Sequence, residues 1–130
     1  MDTTDTIRIL LVDDNLSFLE SAANFLLTFP EISVVGKAQS GEEAIGLVQK
    51  RDPDLVLLDL AMPGMSGLET LRRFKELRHP PFVIIVTLHD DLEYRASAQD
   101  AGADGFISKS QIGDRLMPLI QKLFLEKGPA

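Results

Sequence analysis

Short apolar runs alternate with longer stretches of helical periodicity along most of the chain, with Gly, Pro, Asp or Ser at the boundaries, and this alternation restricts the fold most strongly. Ile7 to Val12 reads as a strand, and Leu16 to Phe29 as a helix with Phe18, Leu19, Ala22, Ala23, Leu26 and Leu27 at compatible spacings. Ile32 to Ala38 is a second strand. Ser40 and Glu43 then have the spacing of a capping box opening a helix over Gly41 to Arg51, closed by Asp52 and Pro53. Leu55 to Leu58 is apolar throughout, which suits a parallel strand buried on both faces.

The second half repeats the pattern. Ser66 with Glu69 starts a helix to about Arg78, broken by His79, Pro80 and Pro81; Phe82 to Val86 is the fourth strand. Asp90 with Glu93 signals a helix ending near Ala101 and Gly102, Gly105 to Ile107 a short fifth strand, and Ser110 the start of a last helix that fades at Lys127 and Gly128. Five such units joined by right-handed crossovers imply an α/β fold: a doubly wound, five-stranded parallel sheet with helices on both faces.

With 130 residues, 45% of them hydrophobic, the chain suffices for one domain, with a core over about residues 7–125 and flexible ends at 1–6 and 126–130. The polar, acidic segment Met1 to Thr6 has neither the positive start nor the apolar stretch of a secretory signal, and no run is long enough to span a bilayer. A cytoplasmic protein without a membrane partner is the expectation. There is no cysteine and there are two isolated histidines, so a bound metal must be held by oxygen. A net charge of -7 argues against this domain gripping nucleic acid by its overall field.

Open parallel sheets bind ligands beyond the carboxyl ends of their strands. Here those ends carry Asp13 and Asp14, Asp59, Thr87 and Lys109, and only the second strand lacks a group with obvious chemistry. Converging carboxylates repel one another and raise the proton affinity of at least one of them, a conflict that a divalent cation removes. An oxygen site of this kind suits Mg²⁺, which commonly takes a few carboxylates, retained waters and a phosphate oxygen. Lys109 then offers a fixed positive charge to the phosphate and Thr87 a hydroxyl donor. Asp59 ends the most buried strand between the other clusters, and carboxylates form acyl phosphates, so it is the candidate nucleophile. Taken singly, Asp13 and Asp14 would serve as helix N-caps, Asp59 would open a turn, Lys109 would be a solvated surface charge and Phe106 a plain core aromatic.

Leu10-Leu11-Val12-Asp13-Asp14-Asn15, the run from Asp54 through Asp59 and Met62-Pro63-Gly64 to Gly67, Val86-Thr87 and Phe106-Ile107-Ser108-Lys109 together resemble the response-regulator receiver domain of two-component systems. The likeness runs from about Ile7 to about Leu123. Ala103-Asp104-Gly105-Phe106 before the lysine, and no proline after it, are most similar to the NarL/FixJ-type receivers.

The resemblance implies the flavodoxin-like strand order 2-1-3-4-5. It also implies that Asp59 takes a phosphoryl group from a histidine kinase or phosphotransfer protein. Asp14, Asp59 and the backbone carbonyl of Ala61 would bind Mg²⁺, with Asp13 acting mainly through water, and Thr87 and Lys109 would hold the phosphoryl oxygens. Phe106 would turn inward as Thr87 moves, altering the face of the fourth helix, fifth strand and fifth helix, where a homodimer could form. DNA binding would belong to an output domain outside the 130 residues, although a complete single-domain regulator fits the sequence too.

Several positions depart from the common pattern. Leu88 follows Thr87 where a small residue is common, and its bulk is expected to slow small-donor phosphorylation or hydrolysis. Ser110 takes the place of a frequent proline, which excludes a cis-proline there. Ala61 and His89 lie where the family tunes the lifetime of the phosphorylated state. Gly64 and Gly67 read as turn residues of the loop after the third strand. A Mg²⁺-dependent phosphatase of the haloacid-dehalogenase type is the main rival, but it wants Asp-x-Asp after the first strand, where this chain has Asp13-Asp14-Asn15, and its usual cap is missing from these short loops. A flavodoxin-type flavin carrier would need a phosphate-binding loop where two carboxylates stand.

Overall fold

A computed structural model describes residues 6–62, 64–88 and 92–126. The elements alternate in chain order: β1 Ile7–Val12, α1 Leu16–Leu26, β2 Ile32–Ala38, α2 Gly41–Arg51, β3 Leu55–Leu58, α3 Gly67–Lys75, β4 Phe82–Thr87, α4 Leu92–Asp100, β5 Gly105–Ser108 and α5 Met117–Glu126. All strand pairs are parallel, in the order β2-β1-β3-β4-β5. The expected doubly wound sheet is therefore present. No described helix is long and apolar enough to cross a membrane.

Successive strand residues point to opposite faces, so every central strand feeds two cores. Ile9, Leu11, Leu55, Leu57, Ile84 and Val86 pack with Leu19, Leu26, Leu116 and Ile120 of the α1 and α5 layer. Leu10, Val12, Val56, Leu58, Val83 and Ile85 pack with Val48, Leu71, Phe74 and Ala98 of the α2, α3 and α4 layer. That double burial is why Leu55–Leu58 has no polar alternation. Each fully buried aliphatic side chain contributes roughly 1.5–3 kcal/mol, which makes the middle of this sheet a rigid platform.

Helix starts match the sequence better than helix ends. Ser40 Oγ accepts the Glu43 amide at 3.1 Å and Ser66 Oγ the Glu69 amide at 3.1 Å. Neither box is reciprocal, however: Glu43 Oε1 takes the Gln39 amide at 2.8 Å, and Glu69 instead lies 3.8 Å from Arg73. α1 stops at Leu26 rather than Phe29, because the Thr28 amide and hydroxyl both turn onto the Phe25 carbonyl and the Phe29 amide onto Leu26. α3 ends at Lys75, three residues before the predicted stop, in turns closed by the Glu76 and Leu77 amides. The last helix is not regular from Ser110: Lys109–Gln111 is a 3₁₀ turn and Ile112–Leu116 a wide π turn. Gln111 Oε1 takes the Ser108 amide at 3.0 Å, tightening that start. The predicted Asp90 signal and His89 lie outside the described residues.

Candidate functional site

The parallel registers bring four strand ends to one edge. Val12 pairs with Leu58 and Leu58 with Ile85, and β4 and β5 run two residues further to the pair Thr87 and Ser108, so Asp13, Asp59, Thr87 and Lys109 emerge on the same edge. The backbone ladder continues one step further, with the Asp13 amide bound to Ala38 at 3.0 Å and the Asp59 amide to Val12 at 3.0 Å. Both aspartates thus stand on backbone that neighbouring strands hold still. One carboxylate oxygen from each of Asp13, Asp14 and Asp59 lies within 4.8 Å of the others.

Neither acid of the first pair caps α1. Asn15 does, its Oδ1 accepting the Phe18 amide at 3.1 Å, while Asp13 Oδ1 takes the Asn15 amide at 2.9 Å. Asp14 is left exposed at the rim. The turn role of Asp59 is real but incomplete: Oδ1 accepts the Ala61 amide at 3.2 Å, and Oδ2 lies 3.6 Å from Lys109 Nζ. Lys109 Nζ is closer to Asp13 Oδ2, at 2.6 Å, with its side chain 11% exposed. It is a partly buried counter-ion, not a solvated surface lysine.

The Asp13 carboxyl is held above its ordinary range. Burial is the largest cause, since the residue is 1% exposed, and the Asp59 charge adds to it; Lys109 and the Asn15 amide pull the other way. Repulsion among the carboxylates, which the sequence suggests as the main cause, is a smaller contribution than desolvation. Asp13 Oδ2 also has no hydrogen-bond donor aligned on it, although Lys109 Nζ is near.

A cleft of about 190 Å³ is lined by Asp14, Asn15, Asp59, Ala61, Thr87, Leu88 and Lys109. It joins five of the predicted residues, Asp14, Asp59, Ala61, Thr87 and Lys109, while Asp13 reaches the cluster from beneath through Lys109. Thr87 is buried at the end of β4, and Leu88 beside it is 75% exposed, so Leu88 stands on the wall of the cleft without plugging it. Phe106 is set apart. It is partly buried against the α2, α3 and α4 core, with the Arg95 guanidinium 4.8 Å above its ring.

Two residues gain roles that periodicity does not reveal. A side chain on Gly67 would put its Cβ 2.4 Å from Leu60 Cα and 2.6 Å from the Asp59 carbonyl oxygen, so this position seats α3 directly on the backbone that carries Asp59. Its importance is close approach, beyond the turn freedom read from the sequence. Phe18, which looked like a core residue alone, has its ring centroid 4.3 Å from Lys109 Nζ.

The sequence profile of the response regulator receiver domain matches residues 9–121, nearly the whole described sheet and its helices. The chain belongs to the response-regulator receiver family. Among similar curated proteins, the nitrate/nitrite response regulator NarL of Escherichia coli K12 is 34% identical over 94% of this receiver and 56% of its own length. The transcriptional regulatory protein DegU of Brevibacillus brevis is 34% identical over 88% of this receiver and 49% of its own length. The receiver thus spans about half the length of these relatives. A LuxR-family response regulator from Aurantimonas sp. SI85-9A1 superposes with a TM-score of 0.87 at 30% identity, covering 93% of this receiver and 86% of that chain. The receiver domain of a NarL from Mycobacterium tuberculosis gives 0.81 at 31%, covering 96% and 99%.

This receiver domain is a component of two-component signalling and not in itself a classical enzyme. Its acidic triad is consistent with the magnesium site of a receiver. The donors fit a hard divalent cation, because all are oxygen and because three carboxylates against one ammonium leave an uncompensated negative charge.

Proposed function

We propose that this receiver is a phosphorylation-dependent switch in which Asp59 accepts a phosphoryl group from a histidine kinase or phosphotransfer protein. The observation that carries the reading is the meeting of Asp13, Asp14 and Asp59 with Lys109 at the end of a rigid sheet. Asp59 Oδ2 attacks phosphorus, the bond from phosphorus to the donor imidazole breaks, and the imidazole keeps the electron pair. Asp14, Asp59 and the Ala61 carbonyl are the residues that would hold Mg²⁺, with Asp13 acting through water. When bound, that ion neutralises charge on the carboxylates and on the transferring group.

Lys109 and Thr87 orient the phosphoryl oxygens from neighbouring strand ends. Because such transfer requires mainly positioning and charge neutralisation, little further machinery is needed. Thr87 then draws on Phe106, which lies next to α4, so that the face of α4, β5 and α5 changes as a binding or dimer surface. The similarity to NarL and DegU supports a DNA-binding output controlled by this change in a cytoplasmic regulator, with no nucleic acid bound by the receiver itself.

The test is incubation with Mg²⁺ and a small phosphodonor, followed by intact mass. A single phosphoryl adduct that needs Mg²⁺ and is lost in Asp59→Asn is expected. Turnover of phosphate esters without an adduct would overturn the reading in favour of a phosphatase.

A further inference from the structure

Phe18 lies in the first turn of α1, where the Asn15 cap holds its amide and its ring packs partly against the α1 and α5 core. The same ring stands 4.3 Å from Lys109 Nζ, which in turn lies 2.6 Å from Asp13 and 3.6 Å from Asp59. A lysine ammonium is a compact charge on a flexible stem, and it can follow whichever anion or water attracts it most. Asp13 at 2.6 Å and Asp59 at 3.6 Å both attract it, so the two carboxylates alone do not fix its position. An aromatic face attracts the cation without supplying an anion that would neutralise it or a hydrogen-bond acceptor aligned on one of its protons.

We propose that Phe18 is a positioning residue that keeps the Lys109 ammonium in place, within reach of both Asp13 and Asp59. The inference rests on Asp59 being the phosphoryl acceptor and Lys109 its phosphate partner. An aliphatic side chain would fill similar space in the core but present no negative face. Two effects of opposite sign then follow. With Lys109 held less firmly, the carboxylates keep more of their charge, so Mg²⁺ binds more tightly. The incoming phosphoryl group meets a less well placed cation, so transfer slows. Loosened packing alone would weaken both.

The experiment uses the full chain with Phe18→Leu and Phe18→Tyr, each alone and combined with Lys109→Met. Mg²⁺ affinity is measured by titration, and phosphorylation by acetyl phosphate is followed by intact mass. Phe18→Leu is expected to tighten Mg²⁺ about threefold and to slow phosphorylation by about threefold to tenfold, the range of a partly desolvated cation–π contact. Phe18→Tyr keeps the ring face and should restore both values. In the Lys109→Met background, Phe18→Leu should leave Mg²⁺ affinity unchanged.

The inference is overturned if Phe18→Leu weakens Mg²⁺, if Tyr and Leu behave alike, or if the Leu effect survives without Lys109. Should Phe18→Leu lose its circular dichroism signature, Phe18→Met takes its place with the same expectations. A phosphoryl adduct that persists in Asp59→Asn would instead defeat the acceptor assignment, leaving the Mg²⁺ measurements to judge Phe18 separately.

Discussion

Replacing Asp13 with Asn should make the metal-free protein more stable at pH 7, even though it removes the nearest partner of Lys109. At an effective dielectric of 20, the attraction between Asp13 and Lys109 at 2.6 Å is about 6 kcal/mol. Repulsion from a second carboxylate within 4.8 Å is about 3 kcal/mol or more, and both Asp59 and Asp14 approach that closely. The pairwise effects therefore nearly cancel, with exposed Asp14 screened more than Asp59. What is left is burial of a charge, several kcal/mol, offset by a charge-assisted bond from the Asn15 amide of about 1.5–3 kcal/mol. Asparagine keeps an oxygen for that amide and Lys109 keeps Asp59, so a net gain of about 1–2 kcal/mol is expected.

The pH dependence fixes the sign. The Asp13 carboxyl titrates higher in the folded protein than its unperturbed 3.8, first because of burial. Its contribution to stability is thus full below 3.8 and is lost as pH rises through the folded value. At pH 7 the charged group is a cost that Asp13→Asn removes, and near pH 4 the advantage should shrink. For a domain of this size, 1–2 kcal/mol corresponds to a rise in Tm of roughly 3–10 °C. The assay is thermal unfolding of both proteins in a metal chelator at pH 7 and pH 4, repeated with Mg²⁺, which should narrow the gap by relieving the wild-type charge. A variant less stable than wild type at pH 7, or an advantage equal at both pH values, would refute the reasoning.

Three other outcomes are expected. Gly67→Ala should cost about 3 kcal/mol in urea unfolding, at the upper end for overpacking, because the atoms its Cβ meets are backbone that cannot rotate aside. Asp104→Ala should cost about 2–3 kcal/mol, since Asp104 Oδ2 serves Lys75 Nζ at 2.7 Å and the Val83 amide at 2.9 Å, and both lose this partner together. Leu88→Ala should leave stability within about 0.5 kcal/mol, because the side chain is 75% exposed, yet speed small-donor phosphorylation or hydrolysis; equal rates would remove Leu88 from any gating role.

The parts of this protein legible in its sequence are those set by repetition along the chain. The unbroken run Leu55–Leu58 declares a strand buried on two faces, and the residue after it must then surface where parallel strands end together. Asp59 was visible for that reason, and Asp13, Thr87 and Lys109 for the same one. Helix ends were less visible because single side chains decide them: the Thr28 hydroxyl closes α1 early, and Gln111 tightens the start of the last helical segment. Periodicity counts neither. Asp13 shows the limit most clearly, since adjacency to Asp14 suggests repulsion, whereas its depth under the sheet end makes burial the larger influence on its proton. Phe18 carries the same lesson to function. Its spacing satisfies an amphipathic helix completely, so nothing in α1 alone asks for more. Only when β5 delivers Lys109 beside α1 does a core aromatic also become a neighbour of the charge nearest Asp59. A residue can thus meet the demands of packing and still differ in effect from another that packs equally well, which is why the Leu and Tyr substitutions, similar to the core, should part at the site.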